Sequence, residues 1–159
     1  MTPQDFFAKA LPEARSSGHI FPEYACCEVA LETGWGGSSL TTIANNLFGQ
    51  KQGAVTAGLP TVQIQTREFL NGQWVVVPAT WPKFASWSDS FKARMQLLRT
   101  LAPKYPNYAA ALAATTGEDF IRSVSKTWST DPQRADKVLQ IYNAHLKGAA
   151  AAAAATTTP

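Results

Sequence analysis

The chain has 159 residues, a length that suits one domain with a sizeable core. Hydrophobic residues make up 45% of the chain and charged residues 16%, which is the composition of a folded soluble protein. The formal net charge is only +3, and the basic residues form no run of Lys and Arg. This scattered charge argues against a nucleic-acid-binding protein.

The cysteines and histidines predict neither a disulfide framework nor a metal site. Cys26 and Cys27 are the only cysteines and are neighbours in an apparent helix, so we expect them in the core. His19 and His145 are far apart in sequence and lack ligand spacing. We therefore expect solvated or capping histidines, and no metal or organic cofactor.

Segments that target or anchor a protein are not apparent in the sequence. No apolar run approaches the roughly 18 residues of a membrane-spanning helix, so no membrane insertion is expected. The stretch "MTPQDFFAKALPEAR" lacks a basic segment followed by an apolar one. A secretory signal is therefore not expected there.

Helical patterns dominate the first part of the chain. Thr2 as the cap and Pro3 at the first position predict the start of a first helix. Pro22 opens a second helix, "PEYACCEVALET", which Gly34 can end in a left-handed conformation. The stretch "GSSLTTIANNLFGQK" predicts a short helix from about Ser38, followed by an Asn-rich turn.

A change of pattern after these helices predicts a β-hairpin. Residues 61–70 and 73–79 alternate apolar and polar side chains and are rich in β-branched and aromatic types. Asn71-Gly72 between the two runs is a strong signal for a two-residue hairpin turn. Helices on both sides of one hairpin predict an α+β domain with a small sheet set to one side.

The helical period returns after the hairpin. The run "SDSFKARMQLLRTLA" predicts a helix with Ser88 or Ser90 as its cap. Two shorter helices are predicted over "PNYAAALAATT" and "GEDFIRSVSKTW". A last helix is predicted over "DPQRADKVLQIYNAHLK", with Asp131 as the cap and Pro132 at the first position.

An acid ends the second helix in the stretch "ALETGWGGSSL". Apolar surroundings favour the protonated form of a carboxyl group such as Glu32, and a general acid for glycosidic cleavage needs that form. The three glycines would let a ligand approach the backbone, and Trp35 offers a flat face to a sugar ring. Glu28, one turn earlier, would reinforce this by like-charge repulsion if both acids face one cleft. The same spacing also occurs in helix ends without catalytic meaning.

Three ordered motifs resemble the glucosaminidase family, glycoside hydrolase family 73. "ALETGWGGSSL" followed by "ANNLFGQK" is similar to the family's E-S/T-G-W-G helix end and N-L-F-G-I-K turn. "TREFLNGQWVVVPATWPKFASWSDS" resembles its hairpin, and "WSTDPQRADKVLQI" resembles its Y-A-T-D-P-x-Y-A-x-K-V-L helix start. The resemblance predicts a glucosaminidase domain over residues 1–147 and leaves 148–159 as a low-complexity Ala/Thr tail.

The resemblance implies a lysozyme-like α+β fold, mostly helical, with a small β-hairpin lobe beside the cleft. It also implies Glu32 as the catalytic general acid, Glu68 on the hairpin as the second carboxylate and Glu28 as a possible auxiliary residue. The substrate-binding residues expected from the resemblance and from the residue types are Trp35, Asn46, Leu47, Phe48, Gly49 and Trp128. Trp128 stands where the family has Tyr, and an indole N–H cannot replace a phenol in proton transfer. Gln50 stands where the family has an aliphatic residue.

The implied activity is that of an endo-β-N-acetylglucosaminidase acting on peptidoglycan glycan strands, as a monomer without cofactor, metal, nucleic acid or membrane insertion. A lytic transglycosylase or muramidase on the same fold, or a non-catalytic wall-binding module, are alternatives. Retaining, inverting and substrate-assisted mechanisms all stay open. The expected location is the periplasm or cell wall, reached by phage-lysin release or flagellar-type export.

Overall fold

The computed structural model describes residues 1–149, except for the side chains of residues 68 and 69. Within this range the chain forms an α+β domain in which helices precede and follow one antiparallel hairpin. The elements in chain order are α1 Pro3–Ser16, α2 Pro22–Thr33, α3 Ser39–Ala44, a short 3₁₀ helix Ala54–Thr56, β1 Thr61–Leu70, β2 Gln73–Pro82, α4 Trp87–Leu101, α5 Pro106–Leu112, α6 Gly117–Trp128 and α7 Arg134–His145. The predicted fold class is confirmed. The predicted tail lies outside the described residues from residue 150 onward.

Local chemistry sets the first two helices as predicted. The Thr2 hydroxyl accepts a hydrogen bond from the Asp5 N–H at 3.1 Å, and Pro3 opens α1. Helix α2 runs from Pro22 to Thr33 and is capped by Gly34, whose φ of 57° and ψ of 56° are left-handed. Glycine adopts this conformation without the steric cost of a Cβ atom, so it ends α2 there.

The predicted start of α4 is wrong because tertiary contacts take the two predicted caps. Ser86 caps the helix, accepting from the Asp89 N–H at 3.1 Å. The Ser88 N–H donates to the Glu13 carboxylate of α1 at 2.9 Å, and the buried Ser90 hydroxyl accepts from the Leu47 N–H at 3.1 Å. Both predicted caps therefore join α4 to other parts of the chain.

The start of α7 also differs from the prediction. The Asp131 carboxylate accepts from the Gln133 N–H at 2.9 Å, as a cap would, but residues 132–133 form a turn. The helix begins two positions after Pro132, at Arg134. This shift places Arg134 in the first turn of α7.

The hairpin has the predicted turn, and its second strand is longer than predicted. Asn71 and Gly72 both have positive φ, 52° and 78°, as a two-residue turn of this type requires. Strand β2 continues to Pro82, paired with Thr61. At the base of the hairpin, the Phe84 N–H donates to the carbonyl of Ala44 in α3 at 2.8 Å.

The core lies among the helices. Its fully buried side chains include Phe6, Val29, Phe91, Leu98, Phe120, Ile121, Val124 and Val138. Cys26 and Cys27 are buried free cysteines, as predicted. The prediction of a solvated or capping His19 is wrong, because its ring is 3% exposed and stacks on Phe48. No helix of the described chain is both long and apolar enough to span a bilayer.

Gly117, the first residue of α6, packs closely against a residue of α2. A Cβ atom at Gly117 would overlap the ring of Tyr24, which stacks on Tyr142 at 4.0 Å between centroids. We expect Gly117→Ala to lower the free energy of unfolding by about 1–3 kcal/mol. Gly53→Ala, with open space around it and an extended φ, should change it by less than about 0.5 kcal/mol. Urea denaturation of both variants measures the difference, and equal values would contradict this account.

Candidate active site

Helix α2 carries two acids one turn apart in very different surroundings. The Glu28 side chain is fully buried, whereas that of Glu32 is 33% exposed. Glu28 lies in the helix interior, while Glu32 is two residues before the helix end at Gly34. One acid is therefore part of the core and the other can reach a ligand in solvent.

Two buried arginines hold the carboxylate of Glu28. Arg94 of α4 donates from Nη1 to Oε2 at 2.7 Å and from Nη2 to Oε1 at 2.8 Å. Arg134 of α7 donates from Nη1 to Oε1 at 3.0 Å. Burial alone would raise the pKa of Glu28, but the charges of Arg94 and Arg134 lower it to about 2. Glu28 is therefore an ionised, fully paired carboxylate.

Arg134 also reaches Glu32. Its Nε donates to Glu32 Oε1 at 2.9 Å, and its Nη1 donates to the Ser125 hydroxyl of α6 at 2.9 Å. Burial opposes the charge of Arg134, but Glu28 and Glu32 raise its pKa. The like-charge repulsion suggested by the sequence does not act directly, because a guanidinium group lies between the two acids.

A largely buried turn, residues 46–50, forms another part of the candidate site. The Asn46 amide donates to the Gln50 carbonyl at 2.9 Å and accepts from the Gln50 N–H at 2.9 Å. Asn46, Leu47 and Phe48 are at most 5% exposed, whereas Gly49 is exposed with a φ of 63°. The first three residues therefore shape the turn from inside, and Gly49 presents its backbone at the surface.

Two aromatic rings enclose the guanidinium of Arg94. Its Cζ lies 4.5 Å from the ring centroid of Phe48 and 4.5 Å from that of Trp128. The rings are 6.1 Å apart and nearly perpendicular. Trp128, the last residue of α6, is half-buried, so part of its surface stays available for a ligand. The turn and the end of α6 thus both contact the guanidinium of Arg94.

Trp35 does not join this group, and its role as a sugar platform stays a prediction, since its ring is half-buried. Its ring packs edge-to-face against Phe6 and Phe7, each at 5.7 Å, and against His145 at 5.2 Å. These partners lie on α1 and α7, so Trp35 closes an aromatic cluster between helices. Gly36, expected to admit a ligand, is buried beside Phe6 and Met1. In this stretch the structure assigns packing to both residues.

The second predicted carboxylate can be placed only by its backbone. Glu68 lies in β1, opposite Val75 in β2. Its side chain lies outside the described residues, so its role as the second acid stays a prediction. Within the described chain, no group of three His, Cys, Asp or Glu side chains is arranged to hold a metal.

Arg94, Arg134 and Ser125 were not predicted as site residues from the sequence. A signal for Arg94 was available, because it stands between Phe91 and Leu98 on the buried stripe of α4. Glu28 similarly stands among the buried residues of α2. A charge on each of two apolar helix faces predicts a buried ion pair, since an unpaired charge there would be costly. Arg134 had no comparable signal.

Solved structures define the class of this fold. The glycoside hydrolase domain of FlgJ from Salmonella typhimurium, in a C-terminally truncated form, matches with a TM-score of 0.69 and 26% identity. The match covers 89% of this chain and 96% of that domain. The helical body and hairpin are therefore those of a lysozyme-like glycoside hydrolase domain.

The family follows from the sequence comparisons. The Glucosaminidase family, described as mannosyl-glycoprotein endo-beta-N-acetylglucosaminidase, matches residues 8–147. The chain belongs to this family. It is 31% identical over 148 residues to "Peptidoglycan hydrolase FlgJ" of Vibrio parahaemolyticus, covering 88% of the chain and 46% of that protein. It is 30% identical over 144 residues to a "Probable N-acetylmuramidase" of Lactococcus lactis, covering 86% of the chain and 32% of that protein. The chain thus spans from about a third to about half of these relatives.

The buried charges make folding stability depend on pH. Burial and Arg94 lower the pKa of His19 from 6.5 to about 3, so it is neutral when folded. Unfolding lets it take up a proton, so stability is full above pH 6.5 and is lost as the pH falls toward 3. The loss reaches about 1.4 kcal/mol per pH unit. Glu28 adds a second loss as the pH falls below 4.5 toward 2.

Urea unfolding at several pH values between about 7 and 4 tests this expectation for His19. The variant His19→Gln should lose the pH dependence between 6.5 and 4.5 that the unmodified protein shows, because Gln does not titrate. Equal slopes in the two proteins over this range would contradict a neutral buried His19.

Proposed function

We propose that this domain hydrolyses peptidoglycan by cutting the glycan strand at N-acetylglucosamine, as an endo-β-N-acetylglucosaminidase. The observation that carries the proposal is Glu32, a carboxyl group at the end of a buried helix, one third exposed and held through one oxygen by Arg134. Membership of the Glucosaminidase family and the name of the Vibrio parahaemolyticus relative support the substrate class.

Glu32 acts as the general acid in this proposal. Its proton passes to the glycosidic oxygen as the bond from that oxygen to the anomeric carbon breaks, which leaves an oxocarbenium-like sugar. Oε2 of Glu32 accepts no hydrogen bond from any described residue, whereas Oε1 accepts one from Arg134. The free oxygen is the one suited to carry the proton to the substrate.

Glu68 supplies the second carboxylate. In an inverting reaction it would activate a water molecule, with the two carboxyl groups about 6.5–9.5 Å apart. In a retaining reaction it would be the nucleophile at about 5–5.5 Å. A substrate with a 2-acetamido group also permits attack by its own carbonyl oxygen, for which Glu68 would only stabilise the charge.

Substrate contacts are proposed for the residues with accessible surface near Arg94. Trp128 would stack on a sugar face, and Gly49 would let the glycan approach the backbone of the turn. Asn46, Leu47 and Phe48 would act indirectly by holding the turn. The catalytic unit would comprise residues 1–147 and act as a monomer on glycan strands in the periplasm or at the cell wall. Phage-lysin release or flagellar-type export would bring it there.

Replacing the proposed acid tests catalysis. We expect Glu32→Gln to slow the clearing of isolated sacculi by about 10²–10⁴-fold, because the glutamine amide has no acidic proton to transfer. The matched control is Glu23→Gln on the same helix, where Glu23 forms only a surface ion pair with Arg15. The control should clear sacculi at the unmodified rate. Near-normal clearing by Glu32→Gln would show that Glu32 is not the general acid. Binding of sacculi without clearing by the unmodified protein would favour a wall-binding module.

Product analysis decides between the proposed cleavage and its rivals. The name of the Lactococcus lactis relative favours a muramidase as the second candidate. Digested sacculi would be reduced with borohydride and their muropeptides analysed by mass spectrometry. We expect reduced N-acetylglucosamine ends. Reduced muramic acid ends would identify a muramidase instead, and 1,6-anhydro ends a lytic transglycosylase.

A further inference from the structure

Glu32 is joined to the protein core through a single side chain among the described residues, that of Arg134. Arg134 is 2% exposed and donates three hydrogen bonds, to Glu32, Glu28 and Ser125. Its partners lie on α2 and α6, and it belongs to the first turn of α7. The guanidinium that binds the exposed Glu32 is therefore also held by buried groups from two other helices.

The anchor of Arg134 is itself rigid. Glu28 is fully buried, and both of its oxygens are taken up by Arg94 in a two-point contact. Arg94 is fully buried beneath Phe48 and Trp128. A chain of fixed contacts thus runs from the aromatic rings through Arg94, Glu28 and Arg134 to Glu32.

We propose that Arg134 is a positioning residue for the general acid, holding one oxygen of Glu32 while the buried Glu28 anchors the guanidinium. This inference rests on the proposed function, because it assigns Arg134 a role only if Glu32 is the acid. Without Arg134, the partly exposed carboxyl group would sample several rotamers. With it, Oε1 is held and Oε2 is directed to the substrate.

The charges of this network give a readout that packing alone would not change. Two carboxylates face two guanidinium groups, so the network is neutral when Glu32 is ionised and carries +1 when Glu32 is protonated. The neighbouring ring of His19 is neutral, α6 contributes the Ser125 hydroxyl, and α1 contributes no charged group to the network in the described chain. Arg134 and Glu28 therefore act on the proton of Glu32 in opposite directions.

The experiment compares pH–rate profiles of sacculus clearing for three variants. Arg134→Gln removes a positive charge beside Glu32, so the alkaline limb of its profile should move to higher pH. Its maximal rate should fall about 10²-fold through lost positioning. Glu28→Gln removes a negative charge, so its alkaline limb should move to lower pH. Arg134→Lys keeps the charge but cannot make all three contacts, so its rate should fall about tenfold with an unmoved limb.

The matched control is Arg122→Gln, an exposed arginine of α6 that pairs with Glu118 and Asp136 at the surface. Its profile should superimpose on that of the unmodified protein. The proposal would be overturned if the alkaline limbs of the Arg134→Gln and Glu28→Gln profiles moved in the same direction, or if neither limb moved. If circular dichroism shows that Arg134→Gln or Glu28→Gln does not fold, the Arg134→Lys variant decides. A clearing rate of Arg134→Lys equal to that of the unmodified protein would overturn the proposal.

Failure of this inference can be told apart from failure of the proposed function. If Glu32→Gln clears sacculi at a near-normal rate, Glu32 is not the acid and the proposed function fails. If Glu32→Gln is inactive while the Arg134 variants keep the unmodified rate and profile, only the positioning role fails.

Discussion

The structure depends on a buried carboxylate, that of Glu28, held between two buried guanidinium groups. Such a group is costly to bring out of water, and the cost is offset only when geometry and hydrogen bonds are nearly complete. Here both oxygens are paired, by Arg94 from α4 and Arg134 from α7. Removing one partner of a buried pair typically costs about 3–5 kcal/mol, so this contact restricts how the helices can pack. The orientation of α2, and with it the position of Glu32, follows from that restriction.

The same cluster connects the acid to the surface that would receive a ligand. Arg94 lies against Phe48 of the buried turn and Trp128 at the end of α6, each at 4.5 Å. The Leu47 N–H binds the Ser90 hydroxyl one helical turn before Arg94. The turn, the end of α6 and the acid therefore share one support. A change at Arg94 would move all three together.

The hairpin is built differently. Its turn and register follow from Asn71-Gly72 and from alternation along two ten-residue strands. It joins the helical body at its base, where the Phe84 N–H donates to the carbonyl of Ala44, while the Lys83 N–H donates to the carbonyl of Pro60, which precedes β1. The proposed general acid, Glu32, thus lies on a helix held by buried ion pairs, and the proposed second carboxylate, Glu68, lies on an element with fewer ties to the core. This arrangement suits a fixed proton donor and a second carboxylate that adjusts to the substrate.

Local chemistry in the sequence by itself determined the element types, the hairpin turn, the end of α2 at Gly34 and the place of Glu32. Each depends on residues within a few positions of one another. The cap of α4 at Ser86, the start of α7 at Arg134, the packing of Trp35 and the burial of His19 depended on contacts between distant segments. Only the tertiary structure decided the partners of Glu28, because Arg94 and Arg134 lie 66 and 106 residues away in sequence. Charges in apolar helix faces show that pairing is needed, but three-dimensional packing selects the partner.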